Sequence, residues 1–394
     1  MSAARLIFAA QALRGLAYGL AAVQLATLLR AEGLRAAGVG LVLAAVLAGG
    51  ALAGIALARW GDRFGRRRSY AVLYLALALC GSLIAVGAPV WLLSLAALSG
   101  ALSVEVVESG PFTTVEQVML DGSGVAVRGF GLYNAVAATA GTAGALLGAL
   151  PPSRSLLGGV LLAVGVAGAL LALRLPASLE VASIQVSAPV RPRPVVVRLA
   201  ALFAVDSLAG GFVAQAYLAY WLGVHYQADT ASIGLLFAGC AVLQTASFLL
   251  APVLAARIGL LNTMVFTHLP SNLLLIGVAF ASEFPVAAGL LLARACLSSM
   301  DVPTRQAYVM AMVPPTERIT TAAVTNTARY LTRPAGPALA GLLQPLGPGW
   351  PFLIAGTAKT LYDLTLWRIF RRVSAHRGPL NSVAPQRSAS DGIP

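Results

Sequence analysis

Between two long apolar runs lies the stretch Ala58-Arg-Trp-Gly-Asp62-Arg63-Phe64-Gly65-Arg66-Arg67-Arg68. Five of its eleven residues are arginines, whereas the flanking runs, residues 37–58 and 69–88, contain no charged residue. An apolar run of about 20 residues is long enough to cross the hydrocarbon core of a bilayer as a helix. The stretch is therefore predicted to be a short loop at a membrane surface that joins two transmembrane helices.

The whole chain has the composition of a membrane protein. Of its 394 residues, 58% are apolar and only 10% are charged, and the mean hydropathy is +0.83. The net charge of +13 comes mainly from arginines in short loops rather than from one basic face, so nucleic-acid binding is not expected. The three cysteines lie in apolar runs without CxxC spacing, which argues against disulfides and metal sites. We expect neither a metal nor an organic cofactor.

Twelve apolar runs have a length that suits a transmembrane helix. The predicted spans are residues 6–29, 37–58, 69–88, 91–119, 129–150, 155–175, 198–224, 232–256, 263–282, 285–313, 320–346 and 351–370. The predicted fold is an all-α membrane protein with twelve transmembrane helices.

The twelve spans divide into two halves of six. Residues 1–175 and 198–370 are predicted to be six-helix bundles, joined by a proline-rich cytoplasmic linker at 176–197 and followed by a disordered tail at 371–394. At an offset of 192 residues, Arg14-Gly-Leu-Ala-Tyr-Gly19 matches Asp206-Ser-Leu-Ala-Gly-Gly211. Two pseudo-symmetric bundles produced by such a duplication are typical of transporters that move two halves around a central site.

The distribution of arginine predicts how the helices are oriented, because basic residues in short loops are retained in the cytoplasm. With the N-terminus inside, the cytoplasmic segments contain eighteen arginines, and the opposite loops contain only Arg30, Arg35 and Arg154. Both termini are therefore expected in the cytoplasm. The high Ala, Gly and Arg content with a single lysine suggests a bacterial inner membrane.

The arginine-rich loop resembles the signature GxLaDrxGrrr of the major facilitator superfamily, which lies at the cytoplasmic end of helix 2. The matching residues are Asp62, Arg63, Gly65, Arg66 and Arg67. Ala58 replaces the first glycine of the pattern. In that family the loop holds the two halves together on the cytoplasmic side, so the resemblance implies that the matching residues form a conformational latch. From the residues alone, the alternative is a positively charged surface loop with an incidental aspartate.

Two further segments resemble bacterial efflux and multidrug members of the same superfamily. They are Glu108-Ser-Gly-Pro-Phe-Thr-Thr-Val-Glu116-Gln117 and Met300-Asp301-Val-Pro303-Thr-Arg305-Gln306. The resemblance implies a transporter that works as a monomer, and it identifies no substrate. Many proton-coupled drug antiporters carry an arginine in helix 4, where this chain has glutamates. Antiport is therefore an expectation that rests on resemblance.

Charged residues within the predicted spans are candidates for the transport site. A charge near the bilayer centre costs about 2.5–3.5 kcal/mol and should face a cavity or a partner. The candidates for a proton and substrate cavity are Arg14, Glu105, Glu108, Asp206, Asp301, Arg305, Arg329 and Arg333. His268 in the ninth span is expected to be a packed histidine rather than a ligand-binding one.

The depths of these residues along straight helices predict two ion pairs, Arg14 with Glu108 and Asp206 with Arg305. The second pair repeats the first with the charges exchanged. These pairs are either structural locks or substrate contacts, and the residue types alone leave both open.

The pairing leaves Glu105 and Asp301 without an evident local partner. Of the two, Glu105 is the preferred candidate for carrying a proton. Glu116 lies near the end of its span and is as readily explained by a side chain that reaches the membrane surface. Lys359 and Asp363 are expected to form a structural i,i+4 pair.

The sequence thus predicts a secondary transporter that works by alternating access, with proton-coupled efflux of a small organic or drug-like compound as the first hypothesis. Uptake or facilitated diffusion of a small metabolite is the alternative within this class. A non-transporting sensor and a membrane enzyme are alternatives of another class, but the chain contains no HExxH and no GxxxxGK[ST] motif. The expected partners are a small-molecule substrate and the lipid bilayer.

Overall fold

The computed structural model describes residues 3–107, 110–121, 127–177, 193–313 and 318–372. Within them the chain forms sixteen α-helices and one short 3-10 turn, Gln344–Leu346. The helices of the N-terminal half are α1 (Ala3–Ala31), α2 (Ala36–Phe64), α3 (Arg66–Ala85), α4 (Val90–Ala97), α5 (Pro111–Asp121), α6 (Val127–Gly148) and α7 (Arg154–Leu173). Those of the C-terminal half are α8 (Pro194–Phe212), α9 (Gln215–His225), α10 (Thr230–Ile258), α11 (Leu260–Val278), α12 (Phe284–Ser298), α13 (Asp301–Ala311), α14 (Arg318–Thr332), α15 (Ala335–Leu343) and α16 (Trp350–Phe370).

These helices make up the twelve predicted spans, which confirms the predicted fold class. Eight described segments are long and apolar enough to cross a membrane by length and hydropathy alone. Large apolar side chains such as Val72, Leu249 and Phe280 are exposed on the outer surface, where lipid would cover them. Twelve alternating crossings put residues 3 and 372 at the same face as the arginine-rich loop. We call this face the basic face and the other one the opposite face.

Each predicted span was taken to be a single helix, but four spans consist of two helices. These pairs are α4–α5, α8–α9, α12–α13 and α14–α15. The longest interruption separates α4 from α5. Gly100 and Gly110 adopt positive φ angles of 75° and 65° there, and Pro111 then starts α5, where its missing N–H needs no partner. Irregular backbone at membrane depth is tolerated only where protein or a cavity surrounds it. The interruptions are therefore expected to be covered by protein or to line a cavity.

The second bundle begins earlier than predicted. Pro194 starts α8 within the predicted linker, because proline is well suited to the first turn of a helix. Residues 178–192 of that linker and residues 373–394 of the predicted tail lie outside the described residues.

The duplication is visible at the basic face. Gly65 joins α2 to α3 and Gly259 joins α10 to α11, with φ angles of 85° and 86°. Such left-handed backbone favours glycine over every other residue. The same tight turn therefore occurs at the same place in both halves.

The closest contacts between the halves lie near the opposite face. A Cβ added to Gly341 of α15 would lie 2.4 Å from the carbonyl oxygen of Ala36, and one added to Gly40 of α2 would lie 2.3 Å from that of Pro337. Arg30, at the end of α1, donates a 2.6 Å hydrogen bond to the carbonyl oxygen of Gly223 at the end of α9. Small residues permit this approach, and the molecule is closed at the opposite face.

Candidate functional site

A cavity of about 280 Å³ lies between the two halves, and we call it the central cavity. Its walls include Gly19 of α1, Gln244 of α10 and Lys359 of α16, each near the middle of its span. The α4–α5 interruption contributes Glu105, Val106 and Val107. The cavity therefore lies at the depth of the membrane centre, where both halves reach it.

The two halves contribute different chemistry to this cavity. The described N-terminal wall consists of small or apolar residues and Glu105. The C-terminal wall is polar, and its charged residues are Asp206, Arg294, Asp301, Arg305, Arg329, Arg333 and Lys359. Six of the eight predicted cavity residues line the cavity: Glu105, Asp206, Asp301, Arg305, Arg329 and Arg333.

Glu105 forms an ion pair across the cavity. Nη2 of Arg333, in the break between α14 and α15, donates to Oε1 of Glu105 at 2.7 Å. The Arg333 side chain is 19% exposed and that of Glu105 is 21% exposed, so water reaches both groups. The sequence indicated no local partner for Glu105, and the arginine that pairs with it comes from the other half of the molecule.

Asp206 lies at the centre of a charge network in the C-terminal half. Its carboxylate accepts a 2.5 Å hydrogen bond from Nζ of Lys359 and lies 3.8 Å from Nη1 of Arg305. The predicted Asp206–Arg305 pair is therefore present, but it is the longer of the two contacts. The same Arg305 nitrogen donates to Asp301 at 2.8 Å. Asp301 was predicted to lack a local partner, which was wrong, because Arg305 four residues later on the same helix supplies one.

Lys359 was expected to pair with Asp363, and this prediction was wrong. α16 turns the lysine toward Asp206 of α8 instead. Asp363 instead accepts a 2.8 Å hydrogen bond from Asn272 and lies 3.0 Å from Nδ1 of His268. His268 is buried and packed, in line with its prediction, and its side chain also borders the central cavity. The lysine and histidine therefore belong to the site, although neither was among the predicted cavity residues.

Two other embedded charges of the N-terminal half, Arg14 and Glu116, lie elsewhere. Nη1 and Nη2 of Arg14 donate to the two carboxylate oxygens of Glu116 at 2.5 and 2.8 Å, and neither side chain has exposed surface. The hydroxyls of Tyr70 and Tyr133 also donate to Glu116. Both charges lie outside the described wall of the cavity.

Arg14 was predicted to pair with Glu108, which lies outside the described residues, and Glu116 was as readily explained as a residue that reaches the surface. The break between α4 and α5 explains the difference, because depths calculated along one straight helix do not apply beyond it. A signal was present in the sequence. Tyr70 and Tyr133 are polar aromatic residues in neighbouring spans, and a buried tyrosine hydroxyl needs a hydrogen-bond partner.

Residues 7–337 match the model of the Major Facilitator Superfamily. The chain belongs to that superfamily. The solved nucleoside transporter NupG has 14% sequence identity and a TM-score of 0.72, over 94% of this chain and 100% of that one. The D-xylose-proton symporter has 16% identity and a TM-score of 0.70, over 92% and 97%. The human organic anion transporter MFSD10 has 16% identity and a TM-score of 0.67, over 92% and 98%.

A curated relative is the uncharacterized membrane protein YJR124C of Saccharomyces cerevisiae, 24% identical over 183 residues. The alignment covers 46% of this chain and 41% of that protein, so the chain spans about two fifths of the length of the curated relative it matches. The solved structures show a shared fold. Together with the superfamily match they support a multi-pass membrane protein with the fold of these transporters.

The loop that carries the superfamily signature is only partly described. The side chains of Asp62 and Arg63 lie outside the described residues, Gly65 makes the tight turn, and Arg66 begins α3. Nη2 of Arg67 donates a 2.8 Å hydrogen bond to the carbonyl oxygen of Leu173, the last residue of α7. Arg67 thus binds within its own half, and a latch between the halves stays a prediction.

Proposed function

We propose that this Major Facilitator Superfamily protein is a secondary transporter that exports a small organic solute by alternating access in exchange for protons. The observation that carries the proposal is the central cavity, which lies between the two halves and is bridged by the Glu105–Arg333 ion pair. A cavity that both halves line changes its access when they rotate against each other.

The size of the cavity favours a small solute. Its volume of about 280 Å³ is at the low end of the roughly 300–1,000 Å³ of ligand pockets. A metabolite-sized compound fits this space better than a bulky drug.

The state of the molecule supports alternating access. The halves pack closely at the opposite face through Gly40 and Gly341, so export requires this contact to open. The excess of arginine in loops of the basic face supports a cytoplasmic location for that face and both termini, in the inner membrane of a bacterium. With that orientation, the closed opposite face is the external one.

Glu105 is the group through which we propose that protons drive the cycle. While it is ionised, its attraction to Arg333 holds the two halves together across the cavity. A proton on Glu105 would remove that attraction and let the halves separate. Proton binding would then favour one access state, which is the requirement for coupling.

Proteoliposomes that contain a pH-sensitive dye test this proposal. Sugars, nucleosides, carboxylates and amines would be added one at a time under an imposed pH gradient. Exchange predicts that an added solute drives protons out of the vesicle as it enters. Glu105→Gln proteoliposomes should show solute counterflow without proton movement.

Other outcomes would overturn parts of the proposal. Protons that enter with the solute would indicate symport and hence uptake. Counterflow without any proton movement in the unmodified protein would indicate a facilitator. Absence of flux for every compound, with correctly inserted protein, would favour a sensor that retains the fold.

A further inference from the structure

We propose that the solute of this transporter is a small organic anion, and that Arg294 binds its carboxylate or phosphate group. This inference rests on the transport function proposed above and names its substrate class. The described cavity wall carries five basic and three acidic residues. Glu108 lies outside the described residues, and counting it as a fourth acid would still leave an excess of one base.

Each acidic side chain of the described wall already has a base of its own. Glu105 lies 2.7 Å from Arg333, Asp301 lies 2.8 Å from Arg305, and Asp206 lies 2.5 Å from Lys359. These three carboxylates are therefore neutralised within the protein. A cationic solute would have to displace a protein base in order to reach any of them.

Arg294 differs from these bases. It lies on α12 and lines the cavity, but it makes no hydrogen bond or ion pair within the part of the chain that the structure describes. Its Nε atom is buried without a hydrogen-bond partner. Asp206 and Asp301 attract Arg294 at longer range but are already paired with other bases, so the guanidinium has no direct partner among the described residues. An anion bound in the cavity would supply one.

Two neutral donors line the same cavity as this arginine. Ser298 is one helical turn from Arg294 on α12, and Gln244 is one turn from Cys240 on α10, so each pair shares a helix face. The two helices are in contact, since Sγ of Cys240 lies 3.8 Å from the carbonyl oxygen of Leu291. Among the described residues, the side chains of Ser298 and Gln244 have no hydrogen-bond partner, and both line the cavity.

The wall next to these donors is aromatic. Phe248 lies one helical turn beyond Gln244 on α10 and lines the cavity, as does Phe237. An arginine with two neutral donors suits a carboxylate or phosphate, and the aromatic rings suit an apolar body. Together they fit an organic anion better than a sugar or an inorganic ion.

Cys240 provides a reporter for the test, because it lines the cavity next to Arg294. In a Cys80→Ser, Cys296→Ser background, the alkylation rate of Cys240 by N-ethylmaleimide would be measured with and without added compounds. The compounds are benzoate, C2–C8 mono- and dicarboxylates and glycerol phosphate, each paired with its neutral amide or alcohol and with an amine. We expect at least one anion to slow alkylation while its neutral and cationic counterparts do not.

Two variants assign the effect to Arg294. Arg294→Gln should raise the half-protecting concentration of the anion about tenfold or more, since each 1.4 kcal/mol of binding energy is a factor of ten. Arg294→Lys should retain part of the protection. The matched control is Arg257→Gln, which changes an exposed arginine at the end of α10. In this variant the anion should protect Cys240 as well as in the unmodified protein. Protection is expressed as a ratio within each variant, so a change in the reactivity of Cys240 itself cancels.

The result that would overturn the inference is equal protection by an anion and its neutral analogue, or unchanged protection in Arg294→Gln. Protection by none of the anions also counts against it. Counterflow separates this inference from the transport function. Anions that protect Cys240 but do not cross the vesicle membrane would uphold anion binding and reject transport. Flux of a neutral or cationic solute without protection by anions would uphold transport and reject anion binding.

Discussion

In the N-terminal half, the embedded charges Arg14 and Glu116 have no exposed surface and are enclosed by tyrosines. In the C-terminal half, the corresponding place in the fold holds Asp206, which lines the central cavity together with Lys359 and Arg305. The duplication has therefore kept a charge network in both bundles but oriented each one differently. The first network is buried within its own bundle, whereas the second faces the central cavity.

The largest effect is expected from Arg14→Gln. Removing one member of a fully buried ion pair leaves Glu116 without its counter-charge and should destabilise the protein by about 3–5 kcal/mol. Thermal unfolding of the purified protein in detergent measures this loss. The double change Arg14→Gln, Glu116→Gln should recover much of it, whereas Arg14→Gln, Glu108→Gln should not. Additive effects of Arg14→Gln and Glu116→Gln would contradict the pairing.

A smaller effect on stability, but a clear one on transport, is expected from Lys359→Gln. Asp206 would lose its 2.5 Å partner and keep Arg305 at 3.8 Å, so the carboxylate remains partly compensated. We expect solute counterflow to fall about tenfold, which corresponds to roughly 1.4 kcal/mol, with little change in the unfolding temperature. Lys359→Arg is the control and should retain most of the flux. A loss of stability as large as that of Arg14→Gln would mean that both networks are structural.

The Glu105–Arg333 ion pair between the two halves should affect proton coupling more than the rate of solute exchange. Glu105→Gln keeps the side chain neutral, so flux should no longer respond to a pH gradient while solute exchange persists within a few-fold of the unmodified rate. Proton-driven accumulation in proteoliposomes is the measurement. Glu32→Gln is the matched control, because Glu32 also pairs with an arginine, Arg154 at 2.9 Å, but outside the described wall of the cavity. Unchanged gradient dependence in Glu105→Gln would transfer the proton role to Asp206 or Asp301.

The apolar runs were enough to predict the twelve spans, because the bilayer fixes both the length and the apolar character of each helix. The glycines and proline around the α4–α5 interruption were visible in the sequence, but the span was treated as one straight helix. This choice caused the assignment of Arg14 to Glu108. The breaks matter for the site because the central cavity is formed at them.

The partners of the charges were harder to predict, because they lie far apart along the chain. Lys359 has an aspartate four residues away on its own helix, and this local pairing was the natural expectation. It binds Asp206 on α8 instead, since packing of α16 against α8 decides the direction of the side chain. Similarly, nothing local indicates that Arg333 reaches Glu105. Contacts across helices depend on tertiary packing, which one sequence does not contain.

The smallest effect is expected from Asp62→Asn in the loop between α2 and α3. If this loop favours one access state through a charge at a helix end, the loss is about 0.3–1 kcal/mol, which changes the ratio of the two states by only a few-fold. Alkylation of single cysteines at each end of the cavity would measure that ratio. Asp229→Asn is the control, because Asp229 caps α10 by accepting the N–H of Ser232 at 2.8 Å, and asparagine caps a helix as well as aspartate does. Equal state ratios in the two variants would show that the loop is a charged surface turn. Since Arg67 already binds within its own half, a shift in Asp62→Asn alone would locate the latch in the aspartate rather than in the arginines that surround it.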